Sequence, residues 1–473
     1  MFKSNIIDVA KILEVLILKI YNSNDDILNK VRKIHMIGIG GSGMCPLAQI
    51  LFSKGYELTG SDNNESNPLK LVKSLGIKVF MGQKAENVHG AELIVYSAAI
   101  SDDNPEIIEA KKLGIPLMER SALLGAVTRK FDNVIGVCGT HGKTTVSSMI
   151  TQILYLNNYD PSAVIGGLLP IINSYGRAGE SEYMVCESCE FVDTFLQLSP
   201  DISVLLNIDN DHLDYFKTMD NLVNSFSKFV NMSKIAVING DDSLVKSAVV
   251  NFDKKVITFG LNKTNDYYAT EIESGKNGYK FCVNYNGEKI YIELNTPGRH
   301  NVYNALAAFA TAHYLGVSGE QIKSAIELFG GAGRRFEKLG VFNGFLLADD
   351  YAHHPTEIKA TLTAARQLGH KRVIAVFQPF TFSRTEKLKD EFIDALSLAD
   401  TVILMPIMGS REVNITGISS EDLAKGLKNA ICVETFSDVK DAVIKIAKQD
   451  DIVITMGGGD IYKAAYMIRD ELN

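Results

Sequence analysis

The residues best suited to chemistry form one short run, Gly139-Thr-His-Gly-Lys-Thr-Thr145, directly after the apolar stretch Asn133-Val-Ile-Gly-Val-Cys and at the start of a helical pattern. A loop in that position can turn the backbone amides of Gly139, Thr140, His141, Gly142 and Lys143 into a nest for an anion. The Lys143 ammonium would then neutralise β and γ phosphates, and the Thr144 hydroxyl would ligate Mg²⁺. Position 137 is Val where a strict Walker loop has Gly, so the loop is a variant of that motif. Mg²⁺ takes several hard oxygen ligands. The sequence supplies Glu187 after Tyr183-Met-Val-Cys, and Asp209, Asp211 and His212 after Val204-Leu-Leu-Asn, at the ends of runs that read as strands. Cys186 and Cys189 lack a second Cys/His pair at zinc spacing and read as small packing residues.

A second loop, Gly38-Ile-Gly-Gly-Ser-Gly43, lies between the apolar run at Ile34 to Ile39 and a helical run at Pro46 to Phe52, with Asp62 ending the next strand. Such glycines let the backbone approach a pyrophosphate, and the helix N-terminus supplies amide donors. The spacing suits a nicotinamide dinucleotide as well as a UDP-sugar, so the residues alone leave both open. Further on, His353 and His354 stand beside Asp349 and Asp350 at a strand end, and Arg384 opens a helix where an anion would be read. Asn301 and Asn304 suit helix capping as well as ligand contact. Arg334 and Arg335 read equally as a solvated pair or a functional one.

These loops need sheets to carry them. From Lys33 to about Lys130, β-rich runs at 34–39, 56–59, 78–81 and 93–97 alternate with helical patterns, which predicts a parallel sheet. A fresh α/β unit opens at Asn133 and continues through 183–186, 203–207, 235–239 and 256–259. From Tyr267 to Leu294 the pattern alternates, with turns at Ser274-Gly-Lys-Asn-Gly and Asn286-Gly287, which predicts a small antiparallel appendage. Helices at 301–315 and 318–329 lead into a third alternation, with strands at 345–349, 372–377, 401–405 and 452–456. The expected fold class is α/β in three domains: an N-terminal Rossmann-like parallel sheet (34–130), a central P-loop ATPase-type α/β domain with the antiparallel appendage (131–331), and a C-terminal Rossmann-like α/β domain (332–473). Residues 1–33 read as a helical extension. Its apolar run, Ile6 to Ile20, is interrupted by Asp8, Lys11 and Glu14 and is too short to span a bilayer.

With 46% hydrophobic and 22% charged residues among 473, the composition is globular. A net charge of −8 lacks the basic footprint of a nucleic-acid binder. Six cysteines in so long a chain do not make a secreted disulfide framework, so a reducing cytoplasm is expected, with no membrane partner. Either a monomer or a homodimer is compatible with this composition.

Taken in order, Gly139–Thr145, Glu187 in Cys-Glu-Ser-Cys-Glu, Asn207-Ile-Asp-Asn-Asp-His212, Pro297-Gly-Arg-His-Asn-Val-Tyr-Asn304, Arg334-Arg-Phe-Glu337 and Asp349-Asp-Tyr-Ala-His-His-Pro-Thr-Glu357 resemble the Mur ligase family from about Ile34 to the C-terminus. The resemblance implies an enzyme that consumes ATP with Mg²⁺ and joins an amine to the carboxylate of UDP-N-acetylmuramate through an acyl phosphate, in peptidoglycan precursor synthesis. The Gly-Ile-Gly-Gly-Ser-Gly and His-His-Pro-Thr-Glu motifs imply L-alanine as the amine; a recycled murein tripeptide is the alternative within the family. An NAD-dependent dehydrogenase would use only the first loop and leave Gly139–Thr145 idle.

By the same resemblance, Gly38, Gly40, Gly41, Ser42, Gly43, Asp62 and Ser97 would contact the UDP portion. His300, Asn301 and Asn304 would lie near adenine and Arg335 near the phosphates. Thr144, Glu187 and His212 would hold Mg²⁺. Lys143, Glu187, His212, His353 and Arg384 would carry the reaction, with Asp350 beside them and His353 the candidate base. The chain departs from the family pattern at Phe380, where many relatives have His after Gln-Pro, and only loosely follows it at Arg411 and Glu412.

Overall fold

The computed structural model describes residues 27–473 apart from 276 and 411, so the expected helix at Ile6 to Ile20 and the side chain of Arg411 lie outside the described residues. Contact density divides the chain into two compact units that meet between Thr258 and Phe259.

The first unit holds two sheets. β1 (Lys33–Ile37), β2 (Glu57–Asp62), β3 (Lys78–Met81), β4 (Leu93–Tyr96) and β5 (Leu117–Glu119) form a wholly parallel sheet in the order β3-β2-β1-β4-β5. Residues 34–37 of β1 are buried on both faces, which is why the run is nearly continuous in apolar residues rather than alternating. The strand order reverses at β1, so the loop after it, Gly38–Gly43, opens into the crevice where α/β sheets bind ligands. Helix α1 (Cys45–Ser53) follows, and α2 (Arg120–Thr128) ends this part of the chain.

The next sheet begins with β6 (Asn133–Cys138), β7 (Ser162–Leu169), β8 (Ser174–Arg177), β9 (Tyr183–Glu187), β10 (Ile202–Leu205), β11 (Ile235–Asn239) and β12 (Lys255–Gly260), ordered β12-β11-β10-β6-β9-β7-β8. β6 pairs in parallel with β10 on one side and β9 on the other. The loop after β6 therefore has the C-terminal ends of β9 and β10 as its two walls. Helix α3 (Lys143–Leu156) leaves that loop, with residues 144–154 all buried.

In the second unit, the end of β12 pairs with β13 (Tyr267–Ser274), which continues into antiparallel β14 (Tyr279–Tyr285) and β15 (Glu288–Leu294). This is the expected appendage, turned at Asn286 and Gly287 with φ of 48° and 84°. Its Tyr267 and Tyr285 rings stack at 5.9 Å and meet Phe309 and His313 of helix α4 (His300–Tyr314). The last sheet, β16 (Glu337–Phe342), β17 (Phe345–Asp350), β18 (Val373–Phe377), β19 (Thr401–Leu404), β20 (Ala430–Cys432) and β21 (Ile452–Met456), is ordered β16-β17-β21-β18-β19-β20. It is parallel except for the β16–β17 hairpin, an edge that the sequence pattern did not announce. Helix α5 (Pro355–Gln367) follows β17.

Within the first unit, α2 lies against the segment Phe191–Gln197, which follows β9. Gln197 Nε2 donates to Ser121 Oγ (3.1 Å), Arg129 Nη1 donates to the Gln197 carbonyl (3.0 Å), and the Ser199 amide donates to Thr128 Oγ1 (3.2 Å). Gly125 makes this approach possible, because a Cβ there would collide with the rigid Gln197 carbonyl oxygen. Gly125→Ala is expected to destabilise the first unit by about 1–3 kcal/mol. An unchanged denaturation midpoint would show that the two sheets of this unit do not depend on that contact.

Candidate active site

The loop after β6 takes its shape from two glycines, Gly139 and Gly142, with φ of 134° and 87° that side-chain-bearing residues rarely adopt. Asn207, just beyond β10, clamps it: the His141 amide donates to Asn207 Oδ1 (2.8 Å), Asn207 Nδ2 donates to the His141 carbonyl (2.9 Å), and the Thr140 amide donates to the Asn207 carbonyl (3.1 Å). Asp209 adds its amide to Thr140 Oγ1 (2.9 Å) and its carboxylate to His141 Nε2 (3.0 Å). Asp209, one of the candidate metal ligands, thus also holds the loop.

Lys143 Nζ donates to the carbonyls of Gly139 (2.6 Å) and Thr140 (3.0 Å) and to Glu190 Oε2 (2.9 Å). Burial is the largest influence and works against the ammonium, but Glu190, Cys189 and Glu187 together outweigh it, so the lysine pKa is raised and the charge is retained. Glu190 is 1% exposed and was not singled out in the sequence. An arriving phosphate would compete with it for Lys143.

Thr144 Oγ1 donates to Glu187 Oε2 (2.9 Å), and the Gly166 amide, from β7, donates to the same oxygen (2.9 Å). A hydroxyl and a carboxylate converging at the mouth of a phosphate-type loop are the hard donors a divalent cation takes. Gly166 is also unannounced by the sequence. A Cβ there would stand 2.5 Å from Glu187 Oε2, so only glycine lets the carboxylate lie where it does. His212, with φ of 57°, lies against the Phe191 ring (4.8 Å) and Asp211 (3.5 Å).

The first glycine loop is held in the same manner. The Gly38 amide donates to the Ser61 carbonyl (2.8 Å) and the Gly40 amide to Asp62 Oδ2 (2.9 Å); Ser66 Oγ donates to the Gly40 carbonyl (3.2 Å). Gly41 closes the turn onto the Gly38 carbonyl (3.0 Å), Gly43 packs on Arg120, and Ser42 is exposed. Ser97, at the end of β4, faces Gly38 and accepts from the Ala99 amide (3.1 Å). Beneath the loop, buried Glu106 accepts from Ser61 Oγ and Asn87 Nδ2 (both 2.6 Å) and lies 3.7 Å from His35. Burial raises the Glu106 pKa, but these partners outweigh it and hold the carboxyl below its ordinary value.

In the second unit, Asn301 Nδ2 donates to the Pro297 carbonyl (2.6 Å) and Asn304 Nδ2 to Asn301 Oδ1 (2.8 Å), while the His300 ring packs under Gly298. The two asparagines thus brace the first turn of α4. Arg334 is the hub of the last sheet's loops: Nε donates to Asp349 (3.0 Å), and the Nη atoms donate to the carbonyls of Gly459 (3.0 Å) and Gly457 (2.8 Å). Arg335 lies over the Tyr351 ring (5.2 Å). Burial pushes both Asp349 and Asp350 up to about 6, against the pull of Arg334 and Arg335 respectively. Asp350 accepts from the amides of Phe336 and Ala352 (both 2.7 Å), and so braces the loop that carries His353.

His353 Nδ1 meets the Tyr351 carbonyl (3.1 Å) and Glu357 (3.3 Å), so in the neutral ring Nδ1 carries the proton and Nε2 the lone pair. Arg384 donates to the Phe380 carbonyl (3.0 Å) from a short helix whose start is capped by Glu412 through the Ser383 amide (2.8 Å). The run Gly457-Gly-Gly-Asp460 after β21, whose carbonyls hold Arg334, was not singled out in the sequence, although glycines directly after a strand were signal enough.

Three family models match the chain: "Mur ligase family, catalytic domain" over residues 33–132, "Mur ligase middle domain" over 137–312, and "Mur ligase, glutamate ligase domain" over 334–459. The UDP-N-acetylmuramate–L-alanine ligase of Caldicellulosiruptor bescii is 44% identical over 447 residues, covering 93% of this chain and 98% of that protein. The protein of the same name from Clostridium botulinum (strain Langeland) is 42% identical over 459 residues, covering 94% and 99%. Among solved structures, UDP-N-acetylmuramate-alanine ligase of Thermotoga maritima superposes with a TM-score of 0.81 at 27% identity, covering 93% and 98%. A murein peptide ligase from Psychrobacter arcticus shares the fold, with a TM-score of 0.74 at 24% identity and coverage of 93% and 98%.

The Asn207 clamp yields a direct test. Asn207→Ala removes two side-chain hydrogen bonds from the phosphate-type loop, and nucleoside triphosphate affinity is expected to fall on the order of tenfold or more. Unaltered affinity by calorimetry would mean that the loop keeps its shape without the clamp.

Proposed function

The chain belongs to the Mur ligase family, and on that premise we propose that it joins L-alanine to the carboxylate of UDP-N-acetylmuramate, converting ATP to ADP and phosphate. The observation that carries this reading is the convergence of the Lys143 loop with Thr144 and Glu187 where β6, β9 and β10 end.

The muramate carboxylate attacks the γ phosphorus in line; the bond to the β-bridging oxygen breaks and ADP leaves. Loop amides and Lys143, drawn from Glu190, stabilise the charge on the transferred group. The amine then attacks the carbonyl of the resulting acyl phosphate, the C–O bond to phosphate breaks, and the amine proton passes to His353 Nε2. Holding three substrates in register supplies on the order of 7–11 kcal/mol as effective molarity, more than one acid-base residue gives.

Thr144 and Glu187 fit Mg²⁺ by donor type and placement, with His212 a further ligand. The ion would offset charge on the phosphates. We assign residues 34–130 to the UDP-substrate, with Gly38–Gly43, Asp62 and Ser97 as contacts; 131–331 to ATP, with His300, Asn301 and Asn304 toward adenine; and 332–473 to the amino acid, with Arg335 and Arg384 toward phosphate. The ATP-linked substrates and six unpaired cysteines fit the cytoplasm, and among the described residues no helix is long and apolar enough to cross a membrane.

Phosphate release from ATP should require UDP-N-acetylmuramate and Mg²⁺ and respond to L-alanine above other amino acids or a murein tripeptide; a preference for the tripeptide would overturn the assignment. Lys143→Ala is expected to lower acyl-phosphate formation at least on the order of a hundred- to a thousandfold while UDP-substrate binding survives; near-normal turnover would reject the role. Gly166→Ala, by displacing Glu187, is expected to raise the Mg²⁺ requirement roughly ten- to a hundredfold. An unshifted Mg²⁺ titration would remove Glu187 from the metal site.

A further inference from the structure

Gln378 stands directly after β18, and its amide donates to the Met456 carbonyl (3.0 Å) at the end of β21. The residue is only 8% exposed, yet its side-chain Oε1 has no hydrogen-bond partner. A buried acceptor left unpaired forfeits about 1–3 kcal/mol, and native interiors rarely tolerate it without a reason.

The surroundings supply one. Gln378, His353, Phe380 and Met408 crowd the Gly457–Gly459 arc from different sides. A Cβ on Gly459 would stand 3.2 Å from Gln378 Oε1 and collide with Met408 Sδ; one on Gly458 would stand 3.3 Å from His353 Cγ and 3.5 Å from Phe380 Cδ1. Gly458 and Gly459 therefore keep side-chain bulk away from an amide oxygen, an imidazole and two apolar groups that lie close against the arc. The carbonyls of Gly457 and Gly459 are engaged by Arg334. The oxygen that remains is an acceptor beside a base, and its natural complement is a compact N–H donor.

We propose that Gln378 Oε1 accepts a hydrogen bond from the α-amine of the incoming amino acid and orients it for attack, with the Gly457–Gly459 arc and Met408 limiting the room around it. This rests on the ligase reading above and assigns a substrate-positioning residue to it. The same geometry gives Gly458 and Gly459 a role: they withhold a Cβ from the neighbourhood of His353 and of Gln378 Oε1 respectively.

The test compares Gln378→Met, which keeps length and removes the amide, with Gln378→Glu, which keeps an acceptor oxygen. Steady-state KM is measured for L-alanine, ATP and UDP-N-acetylmuramate, alongside the melting temperature. Gln378→Met is expected to raise the KM for L-alanine on the order of ten- to a hundredfold. The KM values for ATP and UDP-N-acetylmuramate should stay within about twofold, and Gln378→Glu should hold the L-alanine KM close to that of the parent. An unchanged L-alanine KM in a folded Gln378→Met enzyme would overturn the proposal, as would an equal rise in all three KM values. If Gln378→Met does not fold, Gln378→Ala decides: a rise confined to the L-alanine KM supports the role, and an unchanged L-alanine KM or a rise common to all three substrates refutes it. A parent enzyme that cleaves no ATP with UDP-N-acetylmuramate and L-alanine would instead remove the ligase reading itself.

Discussion

A largely buried ammonium must be satisfied on nearly every side, and the central site is organised by how Lys143, its side chain 13% exposed, meets that demand. Its Nζ lies on two carbonyls of its own loop and on Glu190, a carboxylate 1% exposed. Removing one partner of such a pair leaves an uncompensated charge in the interior, which is far more harmful than never having buried the pair. The loop is thereby folded around its lysine before any phosphate arrives. On the proposed reading, the charge that stabilises a transferred phosphoryl group is held close to its place of use, and the step left is its exchange of Glu190 for a phosphate.

The same economy of space recurs at the glycines. Gly139 and Gly142 are required for backbone conformation, whereas Gly125 and Gly166 are required for what lies against them, a carbonyl in one case and the Glu187 carboxylate in the other. Gly40 belongs to the second kind, since a Cβ there would press on Leu69 and on the Asp62 oxygen that accepts its amide. Close packing leaves no slack to absorb a methyl group at such points.

In the second unit a guanidinium does the organising. Arg334, itself at φ of 59°, spreads its donors over Asp349 and the glycine arc after β21, and its ring contacts with Tyr351 and Tyr462 lie at 4.9 and 4.7 Å. The planar fork of arginine suits this task where a lysine would reach only one acceptor well. His353 and Gln378 are positioned indirectly by that arc. Asp350 braces the backbone amides of Phe336 and Ala352 beside it.

The sequence by itself determined the fold class and the two glycine loops, because strand–loop–helix periodicity and glycine spacing are local properties written in consecutive residues. It also pointed to Lys143, Thr144 and Glu187, each identified by chemistry and by a strand end. Only the tertiary structure decided which acid does which work. Asp209 closes on His141, Glu190 holds Lys143, and Glu187 meets Thr144, although all three acids lie at or just beyond strand ends in the sequence. The reason is geometric: β9 and β10 flank β6 from opposite sides, an order no local pattern records, so partners 40 to 70 positions apart become neighbours only once the sheet is assembled. Gly166, Asn207 and Gln378 were hidden for the same reason, since a residue's value as a spacer, a clamp or an unpaired acceptor exists only in relation to what folds against it.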